Sequence, residues 1–314
     1  MPTSGNILQP EFIEEDFISG LETALKGTFH PPWPLEISRV SQDVEHFLGY
    51  DGVLTSLIPF YIQFKRSYFC IPAYRGQLAK NRDHLELPTR RGFFNFALHK
   101  DKASKKFLQH NVLFQLSQHA TAAYVAPLFY KKQQLTAFKR LTLDLPWRYE
   151  DSLIYDPALD GPRRIRHTRS FSHCITVPPH REVTDTSASH HYTFMRDGRS
   201  LCFHSEPEIP KISGKTLDQF LESLANRTLE RINENSIGWL LKVLPALYGT
   251  EWKNRTFRSM IKAYLLDLDL YPATQSPAVE SWVFENLDGV DVLLLAKHML
   301  MSDFNILQYV AKPW

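Results

Sequence analysis

Cysteine is scarce: Cys70, Cys174 and Cys202 are the only three in 314 residues, too few for a disulfide framework. No two of them stand at the short spacing of a zinc-binding pair. His167, His173, His180, His190, His191 and His204 crowd one stretch, but without such a pair they do not make a four-ligand zinc site. No apolar run approaches the ~20 residues of a membrane span, and the first residues lack the basic-then-apolar pattern of a secretory leader. A cytoplasmic location with no membrane contact is therefore expected. Repeats and low-complexity tracts are absent. A net charge of only +2 excludes a polycation. What is present, 43% hydrophobic and 13% aromatic residues with 22% charged, is the composition of a packed globular chain. The length admits two domains or one core with a large appendage.

The charge is unevenly spread. Acids gather at Glu11, Glu14, Glu15 and Asp16 and again in the C-terminal third. Between Ile62 and Lys106 there are eleven Lys or Arg against three acids, a local surplus of eight. Such a cluster suits a polyanionic partner, with Arg66, Arg75, Lys80, Arg90 and Arg91 as its contacts. Arg163, Arg164 and Arg166 form a second basic group able to touch phosphates. In both places the plain alternative is a solvated basic loop.

Periodicity gives a coarse layout. Phe12 to Lys26 reads as an amphipathic helix, ended by Gly27. His30 to Pro34 is an extended linker, since consecutive prolines do not sit inside a helix. Ile37 to Leu48 reads as a second helix, followed by short strands over 51–55 and 60–66. The polar, basic stretch from Cys70 to Arg91 reads as a loop or lid, too long for a simple connection. A strand over 93–99, a helix over 105–119 and a buried strand over 121–129 follow. Further strands are expected at 170–177, 191–195 and 201–204. From Thr216 the chain reads as helical, with later helices over 237–248, 256–268, 278–287 and 290–301. The apolar Trp239, Leu240, Leu241, Leu293, Leu294 and Leu295 would form a helical core or a partner-docking surface. The natural divisions are 1–36, 37–212 and 213–314.

One constellation stands out in this layout. Gly49-Tyr50-Asp51 sets an acid at a tight corner, and Phe60-Tyr61-Ile62-Gln63-Phe64-Lys65 follows on a strand. Residues two apart on a strand face the same way, so Gln63 and Lys65 project together while Phe60, Ile62 and Phe64 enter a core. Cleaving a phosphodiester needs a Lewis acid that neutralises transition-state charge and activates water. Mg2+ takes oxygen ligands and needs only one or two carboxylates with a carbonyl. Asp51, the Gln63 side-chain oxygen and the Phe64 carbonyl supply such a set. Lys65 would position the attacking water, and Glu45, near the end of the preceding helix, could reach the metal.

The order αβββαβ with Glu45, Asp51 and Gln63-Phe64-Lys65 resembles the PD-(D/E)xK, restriction-endonuclease-like nuclease superfamily. The branch it is most similar to carries Gln in place of the second acid, as in Mrr-type restriction enzymes and effector nucleases of bacterial anti-phage systems. The resemblance covers residues 37–130. It implies an α/β (α+β) fold with a restriction-endonuclease-like αβββαβ core, joined here by an additional β segment and a helical C-terminal region. It makes Asp51, Gln63, Lys65 and Glu45 catalytic, with Asp51, Gln63, Phe64 and Glu45 on Mg2+ or Mn2+. Gln109 falls where related enzymes place a polar residue near the site. DNA, more than RNA, is the implied substrate, and phage defence the implied setting. A protein partner or a second copy would dock on the C-terminal helices. Two features depart from the pattern: no Pro precedes Asp51, and Gln63 removes one negative charge. The alternative is a catalytically silent subunit on the same fold that binds nucleic acid or a protein.

Overall fold

Alternation along the strand Ile58–Phe64 separates the two largest cores of the described residues, one on each face of a six-stranded sheet. The structure, a computed structural model, describes residues 6–27, 35–40, 58–102, 104, 106–141, 143, 151–156, 161–166, 169–186, 188–196, 200–204, 207–210, 213–231 and 289–313. Glu45, Asp51, the strand over 51–55 and the helices over 237–248, 256–268 and 278–287 lie outside the described residues, as do most of the expected helix over 37–48 and the linker.

The elements in order are β1 (Ile7–Leu8), α1 (Glu14–Gly27), β2 (Leu35–Arg39), β3 (Ile58–Phe64), β4 (Tyr68–Cys70), α2 (Gln77–His84), β5 (Phe93–Ala97), α3 (Leu108–His119), β6 (Thr121–Pro127), α4 (Lys132–Lys139), β7 (Asp151–Asp156) and β8 (Gly161–Arg166). A 3-10 turn (Arg169–His173) leads into β9 (Cys174–Val177), β10 (His191–Phe194), β11 (Cys202–His204), β12 (Lys215–Thr216), α5 (Leu217–Arg231), α6 (Gly289–Phe304) and β13 (Leu307–Pro313). The protein is thus mixed α and β. One sheet runs β12-β9-β6-β3-β13-β2, a second runs β1-β4-β5-β10-β11, and β7 and β8 form a two-stranded ribbon.

Within the larger sheet β3 and β6 are parallel and every other pair is antiparallel. Parallel neighbours need a crossover, and here α3 returns the chain to β6. On one face Tyr61, Tyr124, Ile175, Val177 and Val310 pack with Leu113 and Leu116 of α3, Met299 and Leu300 of α6, and Phe96 and Phe203 of the second sheet. On the other face Phe60, Ile62, Phe64 and Val125 meet Phe17 and Leu21 of α1, Leu135 and Phe138 of α4, and Leu221 and Leu224 of α5. The sheet is therefore apolar on both sides. Burying one such Phe or Leu contributes about 1.5–3 kcal/mol. The acids Glu14, Glu15 and Asp16 in the first turn of α1 and Lys26 in its last complement the helix dipole. Gly20 lets α4 approach closely, since a Cβ there would meet the Leu135 Cδ1 at 3.0 Å.

Several sequence expectations are corrected. Residues 37–39 belong to strand β2, not to a helix: Ile37 packs on one core and Val40 on the other, which suits a period of two better than 3.6. The C-terminus is not helical throughout, because Leu307, Tyr309 and Ala311 enter one core while Val310 enters the other. The resulting strand β13 pairs with β3 over Ile58 to Ile62, and β6 pairs with it over Phe60 to Phe64. The antiparallel neighbour of β3 is thus β13, where a hairpin with 51–55 was expected. The strand at 93–97 sits in the second sheet, between β4 and β10. The stretch 70–91 is no open lid: it contains α2, and Arg82 within it is fully buried. Its guanidinium donates to Thr193 Oγ1 and the Ser200 carbonyl, both at 2.9 Å, and to the Pro88 carbonyl, and lies 5.0 Å from the Phe93 ring centre. Finally, 161–166 is a strand, not a loop. Among the described residues no helix is long and apolar enough to cross a membrane.

Candidate active site

Lys65 follows β3 directly, and its backbone N–H still donates to the Val125 carbonyl at 2.9 Å. It therefore stands at the carboxyl end of the parallel pair β3 and β6, the end of parallel strands where α/β sheets place their ligands. Its side chain is buried, 9% exposed, because α3 and α6 cover this face. The Nζ donates to Gln109 Oε1 at 3.1 Å. Gln109 in turn donates through Nε2 to the Phe304 carbonyl at 2.6 Å. The ammonium also lies 5.8 Å from the Tyr124 ring centre. Burial pushes the Lys65 pKa down to about 8, and the negative charge of Glu14 opposes that shift.

Glu14 opens α1 and is half-buried. Asn305 Nδ2 donates to Glu14 Oε1 at 3.1 Å. Burial raises the carboxyl's pKa, while the charge on Lys65 and the bond from Asn305 pull it down. Asn305 adopts φ 50°, a left-handed conformation that Asn accepts better than most residues. It turns the chain from α6 into β13. Four segments remote in sequence thus meet at the end of β3: the start of α1, Lys65, the start of α3, and the α6–β13 turn.

Gln63 shares the face of Lys65, as the strand period requires, but it is 0% exposed instead of opening into a cleft. Among the described residues, neither its Oε1 nor its Nε2 has a hydrogen-bond partner. An unpaired buried amide costs roughly 1–3 kcal/mol. Ser67, fully buried, has an unpartnered Oγ, and Gln308 on β13 repeats the situation of Gln63. Phe64 points to the opposite core, 5.7 Å edge-on to Phe17, so its part in a site is confined to the main-chain carbonyl.

The expected basic contacts disperse. Arg66 is half-buried next to Lys65, within the field of Glu14. Arg75, Lys80, Arg90 and Arg91 are exposed on or beside α2, which packs on β11 of the second sheet. Arg75 is turned back on its own loop, donating to the Pro72 and Tyr74 carbonyls. Arg163, Arg164 and Arg166 lie on β8, across the ribbon from Ile154, Leu153 and Asp151.

The histidines serve the packing. His110 Nε2 donates to the Arg181 carbonyl at 2.8 Å, and its Nδ1 accepts from the Tyr124 hydroxyl at 2.7 Å. His180 bridges the Tyr192 hydroxyl and Glu208. His204 joins Thr193 and Asn81. Burial pushes His110 and His204 down to about 3. Among the described residues no group of three His, Cys, Asp or Glu is placed to hold a metal ion.

Sequence reasoning paired Gln63 with Lys65 and placed Gln109 near them. It missed Glu14, Asn305 and Gln308. No local pattern marks these, since Glu14 and Asn305 meet across 291 residues of chain. None of the known protein-family models, curated proteins or solved structures matches this chain.

Proposed function

We propose that the chain is a metal-dependent nuclease that hydrolyses phosphodiester bonds of DNA, with a restriction-endonuclease-like unit in which β3, α3 and β6 carry the site. The observation that carries this reading is the pairing, on one strand face, of a buried lysine and a buried amide that has no partner among the described residues. Each is costly in a core, and an apolar residue would pack there at no polar cost. Groups kept at such cost are a mark of function. The orphaned Gln63 oxygen fits a hard cation, and Asp51, Glu45 and the Phe64 carbonyl are the further ligands proposed.

Bound there, Mg2+ or Mn2+ would act as a Lewis acid and lower the pKa of a water. The residues do the rest. Lys65 holds its ammonium toward the attacked phosphate and offsets the negative charge that builds there. Gln109 fixes the lysine's direction, and the Phe304 carbonyl fixes Gln109. Glu14 supplies a nearby carboxylate whose charge offsets that of Lys65. Hydrolysis forms a bond from the attacking hydroxide to phosphorus, breaks the bond from phosphorus to the leaving alkoxide, and delivers a proton to that alkoxide. Arg66, Arg75, Lys80, Arg90, Arg91, Arg163, Arg164 and Arg166 are the proposed phosphate contacts. A role in anti-phage defence in the cytoplasm belongs to the same proposal.

The test is incubation of the purified chain with duplex and single-stranded DNA in Mg2+ or Mn2+. Cleavage blocked by EDTA and abolished by Asp51→Ala and by Lys65→Ala is the expected result. Cleavage that survives both substitutions would sink it. A second reading, a silent nucleic-acid- or protein-binding subunit, is favoured by the depth at which Gln63 and Lys65 are buried. It wins if no substrate is cut while DNA still binds with a steep salt dependence. Docking through the C-terminal helices finds no support in α6, whose Leu293, Leu295 and Leu300 are in the core.

A further inference from the structure

Gln308 stands opposite Tyr61 in the antiparallel register of β13 and β3, and Leu307 opposite Ile62. Directly opposed residues share a face, so Gln308 lies on the side that carries Tyr61 and Gln63. It is diagonal to Gln63, a spacing that long side chains on neighbouring strands can bridge. The two glutamines are 0% and 1% exposed. Among the described residues, all four of their amide atoms lack hydrogen-bond partners. On the same side of the sheet Lys65, Gln109, His110 and Tyr124 are each bonded.

Two idle amides on the neighbouring strands β3 and β13 are hard to reconcile with packing alone. Leu or Met would fill either position without stranding a donor and an acceptor. The pair is instead suited to a ligand that needs oxygen donors from two strands. Amide oxygens are hard, neutral ligands of the kind that join carboxylates around divalent cations. We propose that Gln308 is a second amide ligand of the cation held by Gln63, contributed by the C-terminal strand. The inference rests on the reading of Gln63 as a cation ligand.

Mn2+ binding by the full chain, followed by electron paramagnetic resonance of the free ion, tests it alongside thermal melts. Wild type is compared with Gln308→Leu, Gln308→Met and Gln63→Leu. With Mn2+ absent, Gln308→Leu should melt higher than wild type, because an unpaired amide has gone. Its Mn2+ affinity should nevertheless fall about tenfold or more, and the rise in melting temperature on adding Mn2+ should shrink to match. Gln308→Met, closer in shape, gives the same loss and decides the matter if Leu disturbs folding. Unchanged Mn2+ affinity in Gln308→Met, while Gln63→Leu loses it, overturns the role of Gln308 and leaves Gln63 standing. No Mn2+ binding by wild type overturns both.

Discussion

Lys65 and Gln109, separated by 44 positions in the chain, are joined by a buried hydrogen bond of 3.1 Å at the end of β3. The bond decides what either residue can be replaced with. Gln109→Leu strands the ammonium in an apolar layer and also removes the bond from Gln109 to the Phe304 carbonyl. It should cost roughly 2–4 kcal/mol, within the range for a buried charge that loses its partner. Lys65→Met with Gln109→Leu removes both ends, and should cost less than the sum of the singles by at least about 1 kcal/mol. Urea unfolding of the four proteins gives the cycle. Additive losses would mean that the two side chains do not communicate.

Acid should loosen the protein before its carboxylates titrate. His110 and His204 are held neutral in the fold with pKa values of about 3, against about 6.5 when unfolded. The folded values are depressed, so between pH 6.5 and 3 the unfolded chain binds more protons. These two groups leave stability unchanged above pH 6.5 and lower it as pH drops through that window, by up to about 1.4 kcal/mol per pH unit for each histidine. His110→Gln keeps a donor for the Arg181 carbonyl and removes one titration. The slope of unfolding free energy against pH should then fall by up to about 1.4 kcal/mol per pH unit in this window, leaving the parts contributed by His180, His191 and His204, which burial also pushes down. A slope unchanged by the substitution would place the acid sensitivity elsewhere.

The fold was only partly legible because its long-range pairings are not. Helices α1 and α3 and strands β3, β5 and β6 announce themselves by local period. Gln63 and Lys65 share a face by the same rule. What the period could not say is which strand lies beside β3. Leu307 to Pro313 follows a helix and carries a Gln and a Lys, so it passes for a helix end, yet it is the strand that closes the sheet between β3 and β2. Arg82 looked like one more basic surface residue, although its guanidinium is inside. Gln63 looked like a cleft residue, because nothing local foretells that α6 comes back over it. Glu14 read as one acid in an N-terminal cluster, and only the Asn305 turn brings it to Lys65's end of β3.

Removing the last ten residues therefore should do more than trim a tail. It deletes one of the two neighbours of β3 and, among the described residues, the only sheet partner of β2. Tyr309, which stacks on Phe60 at 5.5 Å and donates to Glu22 at 3.0 Å, goes with it. The truncated chain should fail to accumulate as a soluble monomer by gel filtration. Tyr309→Ala alone should cost about 3–5 kcal/mol, as for other large buried aromatics. A soluble, cooperatively melting truncation would contradict the placement of β13 in the sheet.

Asn305 separates backbone strain from side-chain bonding at the turn that brings Glu14 to the site. Its φ of 50° disfavours most side chains. Gly accepts that conformation freely, so Asn305→Gly loses the bond to Glu14 with little strain. Asn305→Ala loses the same bond and adds about 1 kcal/mol or more of left-handed strain. The Ala variant should therefore unfold at lower urea than the Gly variant. If Glu14 acts on Lys65 through its charge, Asn305→Gly and Glu14→Gln should depress DNA cleavage together, with Lys65 and Gln63 untouched. Full cleavage by Asn305→Gly with loss in Glu14→Gln would mean that the carboxylate acts without needing its amide support. Full cleavage by both would remove Glu14 from the site.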